Sequence, residues 1–78
     1  EAISIHPNPA DDVLFLDAEN PGMTECWYSL FNSQGRLLKS GKASSFPYPI
    51  DLSLMEKGLY FLKLSQGNKT GSFTIIKK

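Results

Sequence analysis

The stretch Gly58-Leu59-Tyr60-Phe61-Leu62-Lys63-Leu64 decides the fold class of this chain. Side chains alternate between the two faces of a β-strand, so Tyr60 and the two leucines that follow it share one face, while Leu59 and Phe61 share the other. A strand that is apolar on both faces is expected to be central in its sheet and covered on both sides. Gly58 permits a sharp turn into the strand. We expect the ring of Tyr60 to be buried and its hydroxyl to bond nearby backbone.

Six further segments are predicted to be strands: 3–5, 13–17, 25–32, 36–39, 46–52 and 69–78. Turn-forming residues separate several of them, most clearly Asn20-Pro21-Gly22, Ser33-Gln34-Gly35 and Gln66-Gly67-Asn68. About seven short strands at intervals of roughly 8–12 residues are typical of β-sandwiches and barrels. We therefore predict a single all-β domain over residues 1–78, an immunoglobulin-like β-sandwich of about seven short antiparallel strands.

Prolines predict which strands lie at the edges of the sheets. Pro7 and Pro9 have no backbone N–H to donate, so the first strand is expected at an edge and is expected to end in a polyproline-like kink. Pro47 and Pro49 place segment 46–52 at an edge for the same reason.

The connections and the third strand carry further expectations. Residues 40–45 are expected to form a polar, flexible connection, and residues 53–58 one short helical turn before the central strand. Within segment 25–32, alternation predicts that Cys26, Tyr28 and Leu30 face the core. The opposite face of that segment is expected to be half-exposed, with aromatic cover.

The charge balance limits the kinds of partner. Eight basic and eight acidic residues give zero net charge, whereas nucleic acids and anionic membranes favour a basic face. We therefore expect neither as a main partner, although Lys77-Lys78 forms a cationic cluster at the end. No apolar run approaches the roughly 20 residues of a membrane-spanning helix. The chain opens with Glu1 and has no basic leader segment, which predicts a fragment of a larger protein.

Residue types that support catalysis are few and scattered. His6 is the only histidine, and we expect it to be exposed or packed rather than catalytic. Cys26 is the only cysteine, and we expect it to be buried as a small apolar group. The spacing of Asp11, Asp12, Asp17 and Glu19 does not match a calcium-binding loop. We therefore predict that the chain is not an enzyme and holds no metal or cofactor.

Four aromatic residues leave a second function open. Trp27, Tyr28, Phe46 and Tyr48 could stack on sugar rings, as in a carbohydrate-binding or adhesive module. A small domain also needs large side chains simply to close its core, which favours a packing role. A structural spacer is a third possibility.

Three stretches that span nearly the whole chain form an ordered set. The first is His6-Pro7-Asn8-Pro9-Ala10 followed by Asp12-Val13-Leu14, and the second is Leu30-Phe31-Asn32-Ser33-Gln34-Gly35-Arg36-Leu37-Leu38. The third is Ile50-Asp51-Leu52-Ser53-Leu54 with the central strand and Ile75-Ile76-Lys77-Lys78. In this order they resemble the type A C-terminal sorting domain of type IX secretion, the Por secretion system of the Bacteroidota. His6 stands where the family usually has Tyr or Phe, and it is a planar ring of similar role.

The resemblance implies a secretion and sorting signal rather than a catalyst. Such domains end large secreted proteins, which pass through the periplasm and are recognised by the outer-membrane translocon and shuttle proteins of type IX secretion. A sortase-like cysteine peptidase commonly removes the domain, and the N-terminal cargo is joined to anionic lipopolysaccharide on the cell surface or released to the medium. The family's signal elements map onto Pro7, Asn8, Pro9, Ala10, Gly58, Tyr60, Lys77 and Lys78.

The role of several of these residues stays open at this point. Gly58 and Tyr60 could serve recognition, or only the folding of the central strand. Lys77 and Lys78 are expected to project charge toward a translocon subunit, because folding has little to gain from them. The edge of the last strand is expected to accept a partner strand, and exposed edges permit a weak homodimer.

Overall fold

The computed structural model describes residues 3–18 and 25–78 of the chain. These residues contain seven strands: β1 (Ile3–His6), β2 (Val13–Ala18), β3 (Cys26–Asn32), β4 (Leu37–Ala43), β5 (Tyr48–Asp51), β6 (Gly58–Gln66) and β7 (Lys69–Lys77). The predicted all-β class is confirmed. No helix with the length and hydropathy of a membrane span occurs in these two described ranges.

The strands form two sheets, one in the order β1-β2-β5 and the other in the order β4-β3-β6-β7. Every neighbouring pair is antiparallel. The chain passes from one sheet to the other after β2, after β4 and after β5, which is consistent with the predicted immunoglobulin-like sandwich. As the prolines predict, β1 and β5 both lie at the edges of their sheet.

The core lies between the two sheets and is built from alternate residues of each strand. Its fully buried side chains include Leu14, Leu16, Cys26, Leu30, Ile50, Leu52, Leu62 and Ile75. Full burial of one such aliphatic side chain contributes about 1.5–3 kcal/mol to folding. The predicted core positions of Cys26, Tyr28 and Leu30 are confirmed.

The central position of β6 is confirmed, but its predicted burial on both faces is wrong. β6 lies between β3 and β7, and Tyr60 and Leu62 on its inner face are buried. On its outer face, Leu59 is 43% and Phe61 is 38% exposed. The physical reason is that a two-layer sandwich covers only the inner face of each sheet, and no described segment packs on the outside of this one.

The prediction of a connection over residues 40–45 is wrong for residues 40–43, whereas Ser44 and Ser45 do lie between β4 and β5. β4 continues to Ala43, pairs with β3 and buries Ala43 opposite Cys26. Gly41 lies opposite Tyr28, whose ring occupies the space where a side chain at position 41 would be. Pairing with a neighbouring strand and cover by an aromatic ring therefore override the polar composition of this segment.

The turns match most of the expectations. The hairpin at Gly35 is confirmed: this glycine has φ +88°, a conformation that L-residues rarely adopt, and Asn32 Oδ1 accepts from the N–H groups of Gln34 and Arg36. The predicted hairpin turn at Gln66-Gly67-Asn68 is confirmed, since β6 ends at Gln66 and β7 begins at Lys69. Residues 53–58 contain a hydrogen-bonded turn from Leu52 O to Met55 N rather than a helix. The predicted turn at residues 20–22 lies outside the described residues.

Candidate functional site: the C-terminal cluster

The segment after β1 turns toward the other sheet and lies against the end of β7. Ala10 forms a parallel bridge with Lys77. The Ala10 N–H donates to the Ile76 carbonyl at 2.7 Å, and the Lys78 N–H donates to the Ala10 carbonyl at 2.8 Å. Ala10 is fully buried, so a larger side chain has no space at this contact. A motif near the start of the chain thus forms part of the environment of its last residues.

Asn8 extends this contact by one further step along β7. Its side-chain N–H donates to the Thr74 carbonyl at 2.8 Å, and its Oδ1 accepts from the Ile76 N–H at 3.1 Å. The primary amide thereby supplies one donor and one acceptor, as the backbone of a paired strand would. The edge of β7 is already paired between residues 74 and 78, so the predicted open edge is wrong for this half of the strand.

The prolines on either side of Asn8 are exposed on the surface of this segment. The peptide bonds before Pro7 and Pro9 are both cis. β1 ends at His6, as the prolines predict, and the segment then bends toward β7, where Asn8 and Ala10 contact residues 74–78. The ring of His6 stacks on Phe15 with centroids 5.8 Å apart, and its Nε2 lies 3.6 Å from Asp17 Oδ2. The expected exposed, packing role of His6 is confirmed.

Gly58 approaches Lys77 from the opposite side. It pairs with Lys77 across the β6–β7 ladder, and Tyr60 pairs with Ile75. Gly58 has φ +146°, a backbone conformation that an L-residue with a side chain adopts only with strain. The Tyr60 ring is buried, and its hydroxyl donates to the Glu56 carbonyl at 2.5 Å. The expected bond from this hydroxyl to nearby backbone is confirmed, and it fixes the loop that leads into β6.

Lys77 does not project its charge, and that expectation is wrong. Only 9% of its side chain is exposed, its Nζ lies 3.7 Å from Asp12 Oδ1, and it donates to the Lys78 carbonyl at 3.3 Å. The aliphatic stem is buried while the ammonium group reaches a carboxylate at the surface. Lys78 is exposed as expected, with Nζ 3.9 Å from Asp11 Oδ2.

These contacts bring every predicted signal residue to one end of the molecule. We call the group the C-terminal cluster, and its members are Pro7, Asn8, Pro9, Ala10, Asp11, Asp12, Gly58, Tyr60, Lys77 and Lys78. Within it, Ala10, Tyr60 and Lys77 are buried, whereas the other members are exposed. Asp11 and Asp12 are not among the predicted signal residues. Both residues directly follow Ala10 in the sequence. This position indicates membership of the cluster only once the bridge between Ala10 and Lys77 is known.

The four aromatic residues considered for sugar binding do not form a joint platform. Tyr28 is buried against Tyr48 at a centroid distance of 5.8 Å, and burial together with the contact to Tyr48 raises the pKa of the Tyr28 hydroxyl. Phe46 is half-buried against the core. Trp27 is 54% exposed, and the Lys42 ammonium lies over its ring at 5.4 Å.

The core also contains the single thiol. Cys26 is fully buried, as expected, and burial raises its pKa. Among the residues that the structure describes, no three His, Cys, Asp or Glu side chains are grouped to hold a metal ion.

A family model described as a secretion system C-terminal sorting domain matches residues 4–78. The chain belongs to this family. The sorting domain is accordingly a C-terminal signal of type IX secretion, a signal for export that interacts with the secretion machinery. The family is one of sorting signals rather than of enzymes. No curated protein matches the chain.

Proposed function

We propose that the type IX translocon recognises the sorting domain in its folded form, through the C-terminal cluster. The observation that carries this proposal is the pairing of Asn8 and Ala10 with residues 74–78. Signal elements that lie at opposite ends of the sequence form one continuous surface only when the domain is folded. A folded surface that joins both elements is a more specific mark than either short motif alone.

The burial pattern divides the cluster into two roles. The exposed members Pro7, Pro9 and Lys78 are available to contact a receptor. The buried members Ala10, Tyr60 and Lys77 hold those groups in place and act as positioning residues. Lys78 and Asp11 lie within 3.9 Å of each other at the surface, so a receptor would meet a cation and a carboxylate side by side. Polar rims of this kind favour specificity and correct orientation.

The remaining steps follow the family's mode of action. Residues 1–78 form one domain at the end of a larger secreted protein, and the cargo lies on its N-terminal side. The cargo passes through the periplasm and is handed by shuttle proteins to the outer-membrane translocon. A sortase-like cysteine peptidase then removes the domain, which leaves the cargo on the outer-membrane surface or in the medium. The strand edges that remain open support weak homodimerisation.

Export of a reporter tests the recognition step. A fusion of signal peptide, reporter and sorting domain is expressed in a host with a working type IX system, and the reporter is measured in periplasm, surface and medium. We expect the intact fusion to reach the surface or the medium. Lys78→Glu should trap the reporter in the periplasm, whereas Lys57→Glu, at an exposed lysine outside the cluster, should leave export unchanged.

The folded state must be checked for each variant by circular dichroism and thermal denaturation. Two results would contradict the proposal: an intact fusion that stays in the periplasm, or a folded Lys78→Glu variant that is exported as well as the intact domain.

A further inference from the structure

The outer face of the four-stranded sheet carries a band of apolar side chains that nothing in the described chain covers. Phe31 is paired with Leu37 on one side and with Phe61 on the other, and Leu59 is paired with Ile76 in the next row. Four of these five residues are between 38% and 52% exposed, and Phe31 is half-buried. We call Phe31, Leu37, Leu59, Phe61 and Ile76 the outer apolar band. Contiguous exposed apolar groups on a small domain typically mark an interaction surface.

The charges of the two sheets are segregated. The strands of the four-stranded sheet contain five lysines and no acidic residue, whereas the strands of the other sheet contain Asp17 and Asp51 and no lysine or arginine. Lys42 and Lys63 lie on the same outer face as the band. The strand register and the alternation of side chains along each strand place them there. Of these two lysines, Lys63 borders the band, whereas Lys42 lies over Trp27 and 3.7 Å from Glu25.

We propose that the outer apolar band docks a protein partner whose surface has an apolar centre bordered by carboxylates. This inference rests on the proposed function, because it takes the partner to be a component of the export machinery. Apolar burial supplies the driving force, and Lys63, which lies next to Phe61 on the same face, favours an acidic rim.

The band is continuous with the C-terminal cluster. Leu59 directly follows Gly58, and Ile76 accepts the hydrogen bond from Ala10 on the same strand that carries Lys77. One partner can therefore cover the cluster and the band together. This continuity gives the exposed apolar side chains a role in the same event as the signal residues.

A membrane surface and a second copy of the chain fit this face less well. Anionic membranes attract segments with about four to eight basic residues, and this face has two lysines, of which Lys42 already lies 3.7 Å from Glu25. A second copy that docks through the same face offers no acidic strand residue to Lys63. An acidic protein surface satisfies both the apolar band and its charge.

Site-specific photo-crosslinking in the exporting host tests the inference. The probe is benzoylphenylalanine in place of Phe61 on the band, and the matched control is the same probe in place of Phe15 on the outer face of the other sheet. We expect a discrete protein adduct at position 61 and none at position 15. Because adducts form on contact, the result is read whether or not the fusion is exported.

Variants test the chemistry of the partner. With the probe at position 61, the pair Leu59→Thr and Ile76→Thr removes apolar groups but retains β-propensity, and Lys63→Glu reverses a charge on the face. Each should lower the adduct yield about fivefold or more. Leu54→Thr, at an almost fully exposed leucine outside the sheet, and Lys57→Glu should leave the yield unchanged.

Three outcomes of the crosslinking and binding measurements would overturn the inference. They are equal adducts at positions 61 and 15, an adduct that consists of two copies of the chain, and co-sedimentation of the purified domain with phosphatidylglycerol vesicles that Leu59→Thr abolishes. If the intact fusion is exported and the Leu59→Thr/Ile76→Thr variant is exported equally well, the inference fails while the proposed function stands. If the intact fusion is not exported, the proposed function fails, and the crosslinks decide the docking face separately.

Discussion

The ammonium group of Lys77 lies 3.7 Å from the carboxylate of Asp12, and the two side chains differ sharply in exposure: 9% for Lys77 and 73% for Asp12. The pair joins the segment that follows β1 to the end of β7. It adds a side-chain contact to the backbone bridge between Ala10 and Lys77. Lys77, one of the predicted signal residues, therefore stabilises the fold, whereas Lys78 keeps an exposed charge.

Two substitutions of Lys77 distinguish how much its aliphatic stem and its charge each contribute to stability. Lys77→Ala should lower the free energy of unfolding by about 1–3 kcal/mol, because it removes a buried aliphatic stem. Lys77→Met keeps most of that stem and should cost less. Lys78→Ala, at the exposed neighbour, should change stability by no more than about 0.5 kcal/mol. Urea denaturation of the purified domain measures all three, and equal losses for Lys77→Ala and Lys78→Ala would contradict the structure.

Asn8 is expected to protect the amide of Ile76 from hydrogen exchange. Asn8→Ala removes the acceptor for the Ile76 N–H and the donor to the Thr74 carbonyl. Loss of these two bonds should cost about 1–2 kcal/mol and speed exchange at Ile76. Asn8→Asp retains an acceptor but places a carboxylate against the Thr74 carbonyl, and should also destabilise.

Exchange measured by NMR provides the readout, with Asn68→Asp in the β6–β7 loop as a control. Unchanged protection of Ile76 in Asn8→Ala would show that the amide contact does not hold β7.

The contact between Gly41 and Tyr28 gives a second stability test. A Cβ at position 41 would lie 3.0 Å from both Cε2 and the hydroxyl oxygen of Tyr28, whereas a Cβ at position 71 meets its nearest neighbour, Phe73, at 4.0 Å. Gly41→Ala should therefore destabilise by about 1–3 kcal/mol through overpacking. Gly71→Ala should be neutral or mildly stabilising, since alanine restricts the unfolded chain. Thermal denaturation compares the two variants, and an identical midpoint would refute the close packing of Tyr28 on β4.

Asp51 introduces a dependence of stability on pH. Its carboxylate accepts from the Ser53 N–H at 2.9 Å, and this bond, with the Ser53 hydroxyl and Lys39, holds its pKa below the usual value of 3.8. Because the folded pKa is the lower one, the stabilisation is present above pH 3.8 and is lost as the pH falls through the folded pKa. Asp51→Asn keeps an acceptor for Ser53 but has no titrating group.

We therefore expect the Asp51→Asn variant to lose less stability than the unmodified domain as the pH falls from about 5 to about 2. This range brackets the usual aspartate pKa of 3.8. Midpoints of urea denaturation across this pH range test the direction of this difference in stability. Parallel curves for the two proteins would show that Asp51 does not contribute.

Much of the fold could be predicted from local patterns, because alternation and turn chemistry act over a few residues. The strand from Gly58 to Leu64, the hairpin at Gly35 and the proline-bearing edges were all predictable in this way. The burial of Leu59 and Phe61 was predicted wrongly, since a sequence pattern shows which face is apolar but not how many layers cover it.

Most residues of the candidate site could be predicted from the sequence, but the contacts that bring them together could not. The family resemblance named Asn8, Ala10 and Lys77, yet their contacts depend on a pairing between positions more than sixty residues apart. The same limit explains the error over Lys77, whose partner Asp12 lies near the other end of the sequence. The error over residues 40–43 has a nearer cause, because pairing with β3, the preceding strand, overrides what the local composition suggests.

The most direct measurement compares export of two destabilised variants, one changed inside the C-terminal cluster and one outside it. Asn8→Ala alters the pairing with β7, and Gly41→Ala alters the packing of β4 on Tyr28. Both are fused to the same signal peptide and reporter, and export is measured at a temperature at which both domains are folded. The account predicts that Asn8→Ala leaves the reporter in the periplasm while Gly41→Ala is exported as well as the intact domain. Equal export of the two folded variants would contradict it, because the joined surface would then not be what the machinery recognises.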